Sequence, residues 1–203
     1  NTPYIRKYQE ERELTVFLAV DASGSSDFGT TGQFKRELAA ELAAVLSFAA
    51  TTNNDKVGLL VFTDKPELIV PPRKGKRHVL RMVRDLLVFT PEGSGTSIES
   101  ALDTINRVVK RRSIIFLISD FLVEPESFRS SLAATNRRHD IIALDLHDPM
   151  EHQIPDVGLM VLEDAETGEL EWVDTSNKAW KEAFEARVLD LEQQKRRLLS
   201  SLA

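Results

Sequence analysis

The stretch Leu14–Ser26, LTVFLAVDASGSS, limits what this chain can become. From Thr15 to Val20 every residue is apolar or β-branched and none is charged, and the run stops at Asp21. An unbroken apolar run of this length suits a central parallel strand covered on both faces. Ser23 and Ser25 follow Asp21 at alternate positions. In extended backbone, alternate side chains share a side. Asp21, Ser23 and Ser25 can then aim three oxygens at one point. One carboxylate with two neutral hydroxyls suits a small hard cation such as Mg²⁺, which takes oxygen ligands in octahedral geometry.

A chain of 203 residues has the length for one domain with a sizeable core. We read residues 1–203 as a single domain, with a core over about 12–175 and a terminal helix over about 177–202. The net charge of -6 disfavours nonspecific binding to nucleic acid or anionic membrane. With no cysteine there is neither a disulfide nor a thiolate metal site. No apolar run approaches the ~20 residues of a membrane span. The chain starts at Asn1 rather than Met, as expected of a piece of a longer protein.

The remaining pattern alternates. Tyr4, Ile5 and Tyr8 suggest a short edge strand, and residues 23–32 a turn. Phe34, Leu38, Leu42, Val45 and Ala49 share helical spacing and predict a buried stripe. KVGLLVFT at 56–63 reads as a second buried strand, and Leu68–Val70 as an edge strand ended by Pro71-Pro72. A helix with Val79, Val83 and Leu86 inward follows, then the loop TPEGSG. Thr96 or Ser97 caps the next helix, with Glu99 at capping-box distance from Thr96 and Ile98, Leu102, Ile105 and Val109 as its stripe. SIIFLIS at 113–119 is another strand, closed by Asp120. A helix over Pro125–Asn136, a strand over Asp140–Leu146, and short strands at Val157–Leu162 and Leu170–Val173 around a turn at Thr167-Gly168 come next. Ser176 caps a last helix striped by Trp180, Phe184, Val188, Leu191, Leu198 and Leu202, with Lys195 on the seam. This order predicts a three-layer α/β fold, an open and mostly parallel sheet with helices on both faces. Ligands of such sheets sit beyond the carboxyl ends of the strands. Asp21, Asp120 and Thr96 all fall on that rim.

DASGS at 21–25 has the D-x-S-x-S form of von Willebrand factor A domains, and Thr96 in GSGTS with Asp120 in LISDF resemble the distant Thr and Asp that complete that family's metal-ion-dependent adhesion site. EERELTVFLAVDASGSSDFG and PDVGLMVLEDAETGEL more narrowly resemble bacterial A-like proteins associated with MoxR-type ATPases. The likeness spans roughly residues 10–175. It implies a von Willebrand A or Rossmann-like fold and a Mg²⁺ site, or Mn²⁺ in preference to Ca²⁺. Ser23 and Ser25 would be direct ligands, Thr96 a switchable one, and Asp21 and Asp120 anchors of coordinated water. The implied function is not catalysis but protein–protein contact, with a partner's carboxylate taking an open position on the metal. The implied setting is bacterial and cytoplasmic, the implied partner a MoxR-type AAA+ ATPase.

A second chemistry starts from the same aspartate. A carboxylate at a strand end can serve as the nucleophile of a phosphatase or phosphotransferase. Here the usual second acid is replaced by Ser23, and no lysine partner can be placed from sequence. GSGTS lacks the Gly-Lys-Ser/Thr ending of a nucleotide loop and reads as the carrier of Thr96. His147, Asp148, Glu151 and His152 crowd one strand end and read as a solvated turn in preference to a second metal or pH-sensitive site. Arg73–His78 and Lys110–Arg112 read as solvated surface, since nucleic-acid binding needs a continuous basic stripe.

Overall fold

The computed structural model describes residues 13–27, 34–148, 155–163 and 169–200. The edge strand expected at Tyr4–Tyr8, the rest of the turn beyond Asp27 and the turn at Thr167-Gly168 lie outside them.

The apolar run forms β1 (Thr15–Asp21), at the centre of the sheet. Helix α1 (Lys35–Thr52) leads to β2 (Lys56–Phe62) and its antiparallel neighbour β3 (Pro66–Arg73). Helices α2 (Lys76–Leu87) and α3 (Ile98–Val108) precede β4 (Ile114–Ser119), and α4 (Pro125–Asn136) precedes β5 (Asp140–Asp145). Strand order is β3-β2-β1-β4-β5, with β1 parallel to β2 and to β4, and β4 parallel to β5. The chain is thus the expected α/β fold, a mostly parallel sheet with helices on both sides. Strands β6 (Leu159–Glu163) and β7 (Leu170–Asp174) pair as a separate antiparallel hairpin, and α5 (Lys178–Ser200) ends the described chain.

Alternation along β1 divides the core. Val16, Leu18 and Val20 face α1 and α2, while Phe17 and Ala19 face α3 and α4. Leu198 brings α5 into the second of these layers. The final helix therefore packs, and Lys195 is buried with it.

Three expectations need correction, and one open alternative is decided. The buried face of α1 is Ala39, Ala40, Ala43, Ser47 and Ala50, whereas Phe34, Leu38 and Val45 are exposed. Alanines let the helix lie close to β1 and β2; of the larger residues expected inward, Leu42 packs partly buried against the core while Phe34, Leu38 and Val45 turn outward. Strand β3 runs through Pro71 and Pro72 instead of stopping there. As a sheet edge it needs no N–H from either proline. At the opposite side of β2, a Cβ on Gly58 would stand 2.6 Å from the Phe17 ring, so glycine is required where β2 bends into register with β3. Ser97, not Thr96, caps α3, accepting from Ser100 N at 3.2 Å. Asn177, not Ser176, caps α5, its Oδ1 accepting from Ala179 N at 3.1 Å and Trp180 N at 3.3 Å.

His139, just before β5, is only 1% exposed, and neither ring nitrogen has a hydrogen-bond partner among the described residues. Burial, and then the nearby Arg138 charge, hold its pKa below the usual histidine value. The folded state therefore resists a proton that the unfolded chain accepts near pH ~6.5. Folding stability should fall as pH drops below that value. Urea titrations at pH 7.5 and 5.5 should show His139→Leu gaining stability relative to wild type at the lower pH; parallel pH slopes for both proteins would refute this.

Candidate functional site

The carboxyl ends of β1, β2, β4 and β5 share one rim because these strands are parallel. Asp21 ends β1 and is 2% exposed. Its Oδ1 accepts from Ser23 N at 2.9 Å, and its Oδ2 accepts from the Ser119 hydroxyl at 2.6 Å. The chain then tightens into a short 3-10 turn, Gly24–Asp27, which brings Ser23 Oγ and Ser25 Oγ to 3.1 Å from each other. Both serines are buried.

Ser119 is a hinge for the next residues. Its Oγ donates to Asp21 and accepts from Phe121 N at 3.0 Å. Phe121 has φ +53°, a left-handed conformation costly for a bulky side chain. Packing holds it there, with the ring buried 6.2 Å from that of Phe128. The turn leaves Asp120 at the rim, 5% exposed. Asp120 Oδ1 accepts from Leu122 N at 3.2 Å, and Oδ2 accepts from Lys35 Nζ at 2.6 Å. Lys195 from α5 lies 3.5 Å from the Asp120 carbonyl and 3.0 Å from Asp145 at the end of β5.

The loop bearing Thr96 is fixed to this cluster and to the edge of the sheet. Gly24 N donates to Ser94 O at 2.8 Å, tying the loop to the serine turn, and Ser97 N donates to Thr63 O at 2.8 Å. The Glu67 carboxylate accepts from Glu92 N and Gly93 N, both at 2.8 Å, and from Thr63 Oγ1 at 2.6 Å. The approach at Gly93 is so close that a Cβ there would lie 2.1 Å from Asp64 Oδ1. Because Ser97 takes the cap, the Thr96 hydroxyl is left over. Its oxygen is buried with no hydrogen-bond partner among the described residues. A buried hydroxyl without a partner is costly and calls for an explanation, an ion among them.

Electrostatics at the rim follow from burial. Desolvation pushes the Asp21 carboxyl up to about 6; the Ser119 hydrogen bond opposes this and the Asp120 charge adds to it. For the bare chain, the sign is a stability contribution lost as pH rises from ~4 through about 6. Burial would raise Glu67 as well, but the hydroxyl and the two amides it accepts from outweigh that and hold it below its ordinary value.

Of the residues singled out from sequence, Asp21, Ser23 and Ser25 form one hydrogen-bonded cluster, Asp120 adjoins it through Ser119, and Thr96 arrives on a loop bonded to it. Among the described residues there is no group of three or more His, Cys, Asp or Glu suited to a metal, so any ion here would depend on the hydroxyls. Those present fit a hard cation: two serine oxygens side by side, an orphaned threonine oxygen and two carboxylates. Sequence reasoning missed Ser119, Glu67 and the approach of Lys35. Ser119 carried a signal, a lone hydroxyl ending an apolar strand beside an aspartate. Glu67 and Lys35 carried none, since the amides that Glu67 accepts from lie 25 and 26 residues away and the aspartate that Lys35 meets lies 85 away. Elsewhere, His147 is exposed while Asp148 is buried, and Glu151 and His152 lie outside the described residues. In the basic runs, Lys74 pairs with Glu13, and Arg112 with Asp140 at 2.6 Å. No described helix is long and apolar enough to cross a membrane.

Glu67→Ala would strip the acceptor from two backbone amides and one hydroxyl. It should cost about 1–3 kcal/mol in urea unfolding. It should also speed hydrogen exchange at Glu92 and Gly93 more than at β1 amides; unchanged exchange at both would show that the carboxylate does not hold the loop.

Known structures share the fold. An aerotolerance-related membrane protein of Bacteroides fragilis aligns with a TM-score of 0.59 at 21% identity, over 85% of this chain and 87% of that one. The conserved hypothetical protein BatB of Bacteroides thetaiotaomicron aligns with a TM-score of 0.56 at 16% identity, over 93% and 98%. At such identities the likeness concerns architecture, which is von Willebrand A-like. In sequence, the uncharacterized proteins Rv1480 of Mycobacterium tuberculosis and Mb1516 of Mycobacterium bovis are each 36% identical over 168 residues, 82% of this chain and 53% of theirs. The chain spans about half the length of these curated relatives. The family described as "Protein of unknown function DUF58" matches residues 1–195, nearly the whole sequence, and the chain belongs to that family.

Proposed function

We propose that this domain is a protein-interaction module and not an enzyme, and that a Mg²⁺ or Mn²⁺ ion held at the strand-end rim receives a carboxylate from its partner. Ser23, Ser25 and Thr96 would supply hydroxyl oxygens, and Asp21 and Asp120 would act on the ion's coordinated water. The observation that carries this reading is the buried Thr96 oxygen without a hydrogen-bond partner, on a loop bonded to the turn where the two serine oxygens lie 3.1 Å apart. Neutral hydroxyls leave much of a divalent charge uncompensated, which is what an acidic partner needs. The resemblance noted in the sequence suggests a bacterial cytoplasmic setting and a MoxR-type AAA+ ATPase as that partner.

Millimolar Mg²⁺ or Mn²⁺ should raise the melting temperature. At a hundredfold excess over Kd the gain is about 2.7 kcal/mol. For a chain of this size that is roughly 5–10 °C. Asp21→Ala should abolish it, and a wild-type melting curve indifferent to both ions would end the metal reading.

A second reading draws on Lys35. No lysine partner for a phosphoryl-accepting Asp21 can be placed from the order of residues alone, yet a lysine stands 2.6 Å from the neighbouring Asp120. Turnover of an aryl phosphate by wild type, lost in Asp21→Asn, would favour that chemistry over the interaction module; no hydrolysis is expected.

A further inference from the structure

Lys35 is the first residue of α1, 85 positions before the aspartate it meets. Its side chain is 6% exposed and that of Asp120 3%, with 2.6 Å between Nζ and Oδ2. Both oxygens of Asp120 are therefore engaged, Oδ1 by Leu122 N and Oδ2 by the ammonium. A divalent ion relying on Asp120 through coordinated water needs one of those oxygens. The two cations thus have a claim on the same acceptor. Lys35 also stands at the amino end of a helix, where the helix dipole disfavours positive charge. Asp120 offsets that repulsion, and a second cation that neutralises the aspartate removes this offset and so lowers the cost of the ammonium's departure. A lysine stem is flexible enough to carry the ammonium back toward water.

We propose that Lys35 is a built-in competitor of the metal: the rim alternates between an ammonium-held state and a metal-held state, and only the second presents an open coordination position to a partner's acid. This rests on the metal reading above and adds its regulation. In the ammonium-held state Asp120 is compensated, so the domain folds without metal and keeps its adhesive site closed. Rising divalent concentration, or a partner carboxylate that adds to the metal's binding energy, shifts the population toward the open state.

The test is calorimetric titration of Mn²⁺ into the whole chain as wild type, Lys35→Met, Lys35→Gln and Lys35→Arg, with melting curves with and without Mn²⁺. Removing the charge should tighten Mn²⁺ binding about tenfold or more, within the usual range of coupling between linked sites. Lys35→Arg should stay near wild type. Without metal, Lys35→Met should melt below wild type because Asp120 has lost its counter-charge, and Mn²⁺ should close that gap. Lys35→Gln, which keeps a hydrogen-bond donor for Asp120 but no charge, serves if the methionine variant does not fold. Binding by a neutral variant but not by wild type would support the competitor role in its strongest form. Equal or weaker binding by the neutral variants, with wild type binding, would overturn the competition and leave the metal reading standing. No binding by any of the four proteins would overturn both.

Discussion

Charge burial is the constraint around which this domain is arranged. Asp21 and Asp120 sit almost out of reach of water at the ends of two adjacent central strands. Isolated carboxylates in such a place are prohibitively unfavourable unless hydrogen bonds or cations compensate them. Asp21 is served by neutral donors, a hydroxyl and a backbone amide. Asp120 is served by the ammonium of Lys35, and its carbonyl has a second ammonium 3.5 Å away in Lys195. These lysines come from α1 and α5, helices on opposite faces of the sheet. Lys35 thus ties α1 to the end of β4, whereas the charge of Lys195 is met by Asp145 at the end of β5 and by Glu192 of its own helix. The anchoring of the first helix and the docking of the last both answer carboxylates at the strand-end rim.

What could be read from the chain follows from how local each signal is. The order of elements was legible because strands β1, β2 and β4 are dry on both faces and so are written as continuous apolar runs. The helix Pro125–Asn136 was legible to the residue, since proline marks its first turn. The inward face of α1 was misread because size was taken for burial. Where a helix lies close on a sheet the small residues go inside, and alanine has little weight in a hydrophobic stripe. The choice of Ser97 over Thr96 as cap depends on where the preceding loop is tied, through Thr63 and Glu67, and neither tie leaves a trace in the nearby sequence. Asp21, Ser23 and Ser25 stood out because a strand that ends in a carboxylate, with hydroxyls spaced by two, is a local pattern; Thr96 and Asp120 were singled out from a helix start and a strand end on the same rim and from a family resemblance. The lysines that answer them were not, since an ion pair formed across the fold has no spacing rule.

Shared architecture and site chemistry carry different weight. The Bacteroides structures align over most of the chain at low identity, which speaks for the order and stacking of layers. A fold of this kind accommodates many activities, and what distinguishes one from another is the side chains at the strand ends. Here that equipment mixes lysine with hydroxyls and carboxylates: an ammonium in contact with Asp120 lessens the negative potential that would otherwise draw a cation in. The rim is less acidic than its aspartates alone suggest, and that partial neutralisation costs a doubly charged ion more attraction than a singly charged one.

Thr96 stands on a short loop that Glu67 grips by two successive amides, while Ser97 is bonded to the end of β2 and Ser94 to the serine turn. Such a loop has little freedom of its own. If the threonine travels, the antiparallel corner between β2 and β3 travels with it, and that corner is an edge of the sheet with one side facing solvent. The outer ribbon is therefore a handle: pressure applied to its free margin by a neighbouring molecule would be passed, with little slack, to the shielded hydroxyl of a half-buried threonine on the rim.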